Sequence, residues 1–129
     1  MKEQSNELND ITITKDQVIE ALDGKHFLKK SATEALKALV CCSTGNVVKM
    51  TVADLSRLIQ VNPRACYRII NKLQKDGYIM AQKNEEMGHK LSEYIINPNK
   101  LLALVKEYRV FKFGQIFLSE SIDNKREKN

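Results

Sequence analysis

Between residues 63 and 76, six side chains that can hydrogen-bond or carry charge, Arg64, Tyr67, Arg68, Asn71, Lys72 and Lys75, recur at short helical intervals. Wound as a helix at about 100° per residue, they fall within an arc of about 140°. Ala65, Cys66, Ile69, Ile70 and Leu73 fall on the opposite side, where they must face a core. The polar arc holds four cations, an amide and a phenol, and no carboxylate. A guanidinium can bond two acceptors on the edge of guanine, an asparagine amide can pair with adenine, and an ammonium neutralises phosphate without reading sequence. The plain alternative is a solvated basic face, against which stands the lack of acids at i±4 to balance the cations.

The elements around this face are punctuated clearly. Asn62-Pro63 pairs an N-cap residue with proline at the first helical position, and Gly77 supplies the stop, which predicts a helix from Pro63 to about Asp76. Before it, Thr51 caps a helix over Val52 to Gln60 that buries Leu55, Leu58 and Ile59. Two earlier starts have capping-box spacing, Thr14 with Gln17 and Ser31 with Glu34. The first leads a short helix carrying Val18, Ile19 and Leu22 and closed by a left-handed Gly24; the second leads a helix to about Cys42 carrying Ala32, Ala35, Leu36, Leu39 and Val40. Ser43 to Asn46 form a turn cluster, followed by a short extended segment from Val47 to Met50. After Gly77 the period changes, and residues 78–82 and 90–96 predict a β-hairpin around a polar tip over 83–89. Asn97-Pro98 starts a last helix through Leu101, Leu102, Leu104, Val105 and Tyr108.

The chain is 129 residues long with a net charge of +5, a size that suits one principal core. The charge grows along the chain, from −1 over 1–30 to +1 over 31–60, +2 over 61–97 and +3 over 98–129, which suits a polyanionic partner or a soluble surface. The longest apolar runs, 38–42 and 101–105, are far too short to cross a bilayer. The start lacks the layout of a secretory signal, so the expectation is a cytoplasmic protein with no membrane partner. Three cysteines, two of them adjacent, predict free thiols: Cys41 and Cys42 read as a buried pair at a helix end, with an oxidant sensor as the alternative. His26 and His89 are far apart and no metal-ligand spacing occurs. No phosphate-cradling glycine loop and no nucleophile beside a base is found, so neither cofactor nor enzymatic activity is expected.

The stretch from Thr51 to Ile79 resembles the helix-turn-helix of bacterial and archaeal winged-helix transcriptional regulators. It has Ala53 and Leu55 in the first helix, a polar residue and proline (Asn62-Pro63) opening the second, and Leu73 four residues before Gly77 at the entry to the hairpin. The MarR-like group is the nearest, although Gly88-His89-Lys90 stands where that group carries Asp-x-Arg, and Gln60 stands at a turn where glycine is common. The resemblance spans residues 31–97. It implies a mainly α fold with a small β-hairpin, a winged helix-turn-helix with N- and C-terminal helical extensions. It further implies a second helix in the major groove of double-stranded DNA, a wing on the backbone or minor groove, and dimerisation through terminal helices.

The resulting organisation is an N-terminal extension with a short helix (1–30), a winged-helix domain (31–97), an apolar segment for dimerisation (98–120) and a frayed tail (121–129). Candidate DNA contacts are Thr51, Asn62, Arg64, Tyr67, Arg68, Asn71, Lys72, Lys75 and, in the wing, Lys83, His89 and Lys90, with Glu85 and Glu86 opposing phosphate at the tip. Candidate homodimer residues are Leu101, Leu104, Val105, Tyr108, Phe111, Phe113 and Phe117, where Val110 to Phe113 also alternates like a strand and Gly114 marks a break. A stripe this apolar either closes the protomer's own core or pairs with a second chain. The function expected is that of a dimeric, sequence-specific transcription regulator. A plasmid or phage replication initiator and a winged-helix protein-interaction module are the alternatives.

Overall fold

A computed structural model describes the backbone of residues 13–84 and 90–128, and the side chains of residues 13–83 and 92–115. Among these residues the order is α1 (Lys15–Gly24), α2 (Lys30–Cys42), β1 (Val47–Lys49), α3 (Val52–Ile59), α4 (Pro63–Lys75), β2 (Ile79–Asn84), β3 (Lys90–Ile96) and α5 (Pro98–Lys128). The three strands form one antiparallel sheet in the order β1-β3-β2, with a register shift between Gln82 and Lys83. The expected hairpin is therefore joined by β1, whose Val48 pairs with Tyr94 on the strand's other side from Ala81.

Thr14 starts α1 as its spacing predicts: its hydroxyl accepts from the Gln17 amide at 3.1 Å, and the Gln17 side chain accepts from the Thr14 amide at 2.8 Å. The matching expectation at Ser31 fails. Helix α2 begins two residues earlier, at Lys30, its N-cap is Lys29 with no side-chain cap bond, and the Thr33 hydroxyl donates back to the Leu28 carbonyl instead. At the other end of α2 the Lys15 ammonium donates to the carbonyls of Cys41 and Ser43, so the start of α1 satisfies the end of α2.

The core gathers Val18, Ala21 and Leu22 from α1, Leu36 and Leu39 from α2, Leu55 from α3, Ile70 and Leu73 from α4, Tyr94 and Ile96 from β3, and Leu101, Leu104 and Val105 from α5. Residues 13–30 are thus part of the same core as 31–97. Leu58 departs from expectation and is exposed. In α3 the inward stripe is Val52, Leu55, Ser56 and Ile59, at i, i+3, i+4 and i+7, and Leu58 falls outside it.

Gly24 also acts differently from expectation. It remains inside α1 with no positive φ, and its value lies in its missing side chain: a Cβ there would run into Cε1 of the Tyr108 ring. The ring of Tyr108 on α5 lies against α1 at this point. On the same side Lys25 pairs with Glu107 at 3.0 Å and Lys112 with Glu20 at 3.0 Å, and the Lys25 ammonium sits 5.0 Å from the Phe27 ring and 5.3 Å from that of Phe111.

Helix α5 is the largest correction. It runs unbroken for 31 residues to Lys128, through Val110 to Phe113 where a strand was an option, through Gly114 where a break was expected, and through 121–128 where a frayed tail was expected. At 1.5 Å per residue that is about 46 Å of helix.

Candidate nucleic-acid interface

Helix α4 is held at both ends by devices written in its sequence. The Asn62 side chain accepts from the Ala65 amide at 2.8 Å, and Pro63 occupies the first turn. The turn leading in from α3 passes through Gln60 with φ 59°, the left-handed conformation for which glycine is the usual choice, and the Val61 amide donates to the Ser56 carbonyl at 3.0 Å. At the far end the Gly77 amide donates to Gln74 O at 3.0 Å and the Tyr78 amide to Leu73 O at 2.9 Å, the paired bonds of a Schellman stop around a Gly77 of φ 86°. Leu73 and Tyr78 are both buried there.

Cys66, Ile70 and Leu73 are buried and Ala65 and Ile69 half-buried, whereas Arg64, Tyr67, Arg68, Asn71, Lys72 and Lys75 are all exposed. The structure thus brings the six expected residues onto one open face. The expected lack of acids at i±4 does not hold at the helix end, where Asp76, four residues after Lys72, lies 3.5 Å from its ammonium. Tyr67, 44% exposed, presents its ring among the cations.

Thr51 is more committed than its sequence suggested. Its hydroxyl accepts from the Asp54 amide at 3.0 Å, the Asp54 carboxylate accepts from the Thr51 amide at 3.3 Å, and Arg57 pairs with that carboxylate. The Thr51 backbone and hydroxyl, then Arg57, hold the Asp54 carboxyl below its ordinary range. A phosphate over Thr51 would therefore meet a carboxylate whose ion-pair partner, Arg57, is itself 72% exposed.

In the wing, Lys83 is exposed just beyond the register shift. Lys90 opens β3, and its side chain, like His89, Glu85 and Glu86, lies outside the described residues. Two residues that sequence reasoning passed over lock wing to helix. The Gln74 side chain accepts from the Ala81 amide of β2 at 2.9 Å, and the Asn97 side chain donates to Gly77 O at 3.2 Å. Nothing in residue type or spacing marked Gln74, because its partner is set only once β2 folds back; Asn97 read only as a cap.

Leu101, Leu104 and Val105, expected at a dimer face, are instead buried in the protomer's own core. Tyr108 and Phe111 are half-buried against α1 and the Lys25 ammonium. Val110 and Phe113 are left 73% and 70% exposed, and the side chain of Phe117 lies outside the described residues. All three cysteines are free thiols: Cys66 is buried, which pushes its thiol up, and Cys41 and Cys42 are exposed rather than buried as expected. Among the described residues no group of side chains could hold a metal ion, and no helix is long and apolar enough to cross a membrane.

Five helices around one core, with α4 turning a polar face outward, and a three-stranded antiparallel sheet define a winged helix. Comparison with solved structures gives the same class. The chain superimposes on the YusO protein from Bacillus subtilis with a TM-score of 0.51 at 12% identity, covering 98% of this chain and 90% of that one. It superimposes on a MarR family transcription regulator with a TM-score of 0.50 at 13% identity, covering 98% and 81%. The archaeal chromatin protein TrmBL2 overlaps 86% of this chain at 21% identity and a TM-score of 0.48, and the chain spans only 40% of that protein's length. No family model matches the sequence. No curated protein matches it either.

Proposed function

We propose that the chain binds double-stranded DNA sequence-specifically through α4 and acts as a transcription regulator in the form of a homodimer. The observation that carries this is the α4 face: six side chains suited to base edges and phosphates, all exposed, on a helix whose other side is buried and whose two ends are fixed. Arg64, Arg68 and Asn71 read bases, Tyr67 packs on a sugar or a thymine methyl, and Lys72, Lys75 and the wing cation Lys83 hold phosphates. The MarR family regulator of the same fold supports this reading. The exposed Val110 and Phe113 on a helix that continues to Lys128 supply the face for a second copy. Twofold symmetry then sets two α4 helices roughly 34 Å apart on one side of the duplex and calls for an inverted repeat.

The test is binding of the purified chain to random duplex DNA and to selected oligonucleotides across a salt series. A steep log-log salt slope with enrichment of an inverted repeat is expected. Arg68→Ala should relax preference at one position and cost about 1–3 kcal/mol, while Lys75→Ala should weaken all sequences alike. Negligible binding at low salt, or indifference to an Arg64/Arg68 double alanine, would overturn the reading. Enrichment of direct repeats would reassign the chain to replication-origin binding.

A further inference from the structure

Beside the α4 face lies a groove of about 670 Å³ that no sequence feature announced. Its floor is apolar, with Leu28, Val61 and Ile69, and its two banks carry cations: Lys29 at the start of α2, Arg68 and Lys72 on the flank of α4. The one carboxylate in its lining, Asp76, is already paired with Lys72. Lys29 is exposed and makes no ion pair among the described residues.

We propose that this groove is a second DNA seat, in which one sugar–phosphate strand lies against Lys29 and Ser31 while α4 occupies the adjoining major groove. The inference rests on the reading of α4 above. A helix inserted in the major groove has a phosphate backbone along each flank. The α4 flank bearing Arg68 and Lys72 turns toward α2, so the strand on that side passes between the two banks. Three cations against one engaged carboxylate suit a polyanion, and the groove is continuous with the α4 face because Arg68 and Lys72 belong to both. The apolar floor matches deoxyribose carbons. Lys29 is therefore a phosphate contact supplied from outside the helix-turn-helix, and it sets affinity without setting sequence.

The test uses the full chain in the same salt series, on a selected site and on random duplex. Lys29→Gln should lower the log-log salt slope by about 0.9, one phosphate contact's worth, and weaken both DNAs by the same factor. Ser31→Glu, which puts a carboxylate into the groove, should weaken both further, again with the preference ratio unchanged. Lys106→Gln removes the same charge from an exposed position on α5 and should leave the slope as it was. Circular dichroism and thermal midpoints establish that each variant is folded. If Lys29→Gln behaves like Lys106→Gln while the Arg64/Arg68 double alanine still abolishes binding, the groove proposal fails and the α4 reading stands. If the unaltered chain binds no DNA, both fail together.

Discussion

Tyr94 sits at the centre of the sheet, between Val48 and Ala81, fully buried, and its hydroxyl has no hydrogen-bond partner among the described residues. Leaving such a group unsatisfied costs on the order of 1–3 kcal/mol. Tyr94→Phe keeps the ring and removes the orphan, so it should stabilise the fold by about 1 kcal/mol in urea unfolding at pH 7. The pH dependence carries a second signature. Burial pushes the Tyr94 phenol far above its ordinary value of 10.0, and burial likewise raises Tyr78 and the Cys66 thiol. Above those ordinary values the unfolded chain releases protons that the folded chain keeps. The folded state then binds more protons, and stability falls as pH rises, by about 1.4 kcal/mol per pH unit for each such group. The unaltered protein should therefore weaken above about pH 9, beginning with Cys66. Tyr94→Phe should make the decline between pH 10 and 11 shallower, and an unchanged slope there would show that the phenol does not resist ionisation.

The helices with strong caps were legible from residue types alone, because a cap is a local bond between neighbours: Thr14 with Gln17, Thr51 ahead of α3, Asn62 before Pro63, and Gly77 after α4. The six-residue α4 face was legible for the same reason, since helical spacing fixes a face before any packing is known. What could not be read depended on contacts between distant segments. Lys29 lies far from α4 in sequence and reaches its flank only through the docking of α2. The extent of α5 could not be read from residue types, because polar residues after Ser121 signal a tail, whereas the helix runs on to Lys128. Gly24 is the sharpest case: glycine near a helix end suggests a left-handed stop, yet here it makes room for the Tyr108 ring. Gly24→Val should displace that ring and cost about 1–3 kcal/mol through overpacking. In a Tyr108→Ala background the same change should cost much less, since the obstacle is gone. Chemical unfolding of the four proteins gives the coupling directly, and additive effects would mean that the α1–α5 contact does not depend on the ring.

Whether two copies assemble is decided where α5 leaves the core. Up to Lys112 the helix is tied to α1, by Tyr108 on Gly24 and by Lys112 on Glu20. Beyond that residue the helix continues to Lys128, and Val110 and Phe113, on either side of Lys112, stand largely in solvent. An isolated helical stretch of that length is marginal in water, so a partner that covers its apolar side would stabilise both the helix and the assembly. Two substitutions on the same helix separate dimerisation from folding. Phe113→Glu places a charge on the exposed face without touching the core. It should convert the protein to a monomer in sedimentation analysis, remove any dependence of the thermal midpoint on protein concentration, and reduce affinity for an inverted repeat to that for a single half-site. Leu104→Ala, one of the residues reassigned to the core, should instead lower protomer stability by about 2–5 kcal/mol through the cavity it leaves. Below its melting temperature it should remain dimeric. If Phe113→Glu sediments like the unaltered chain, α5 is not the dimer interface. A monomeric unaltered chain would require α4 to read a single half-site, and the selected DNA would then lose its twofold symmetry.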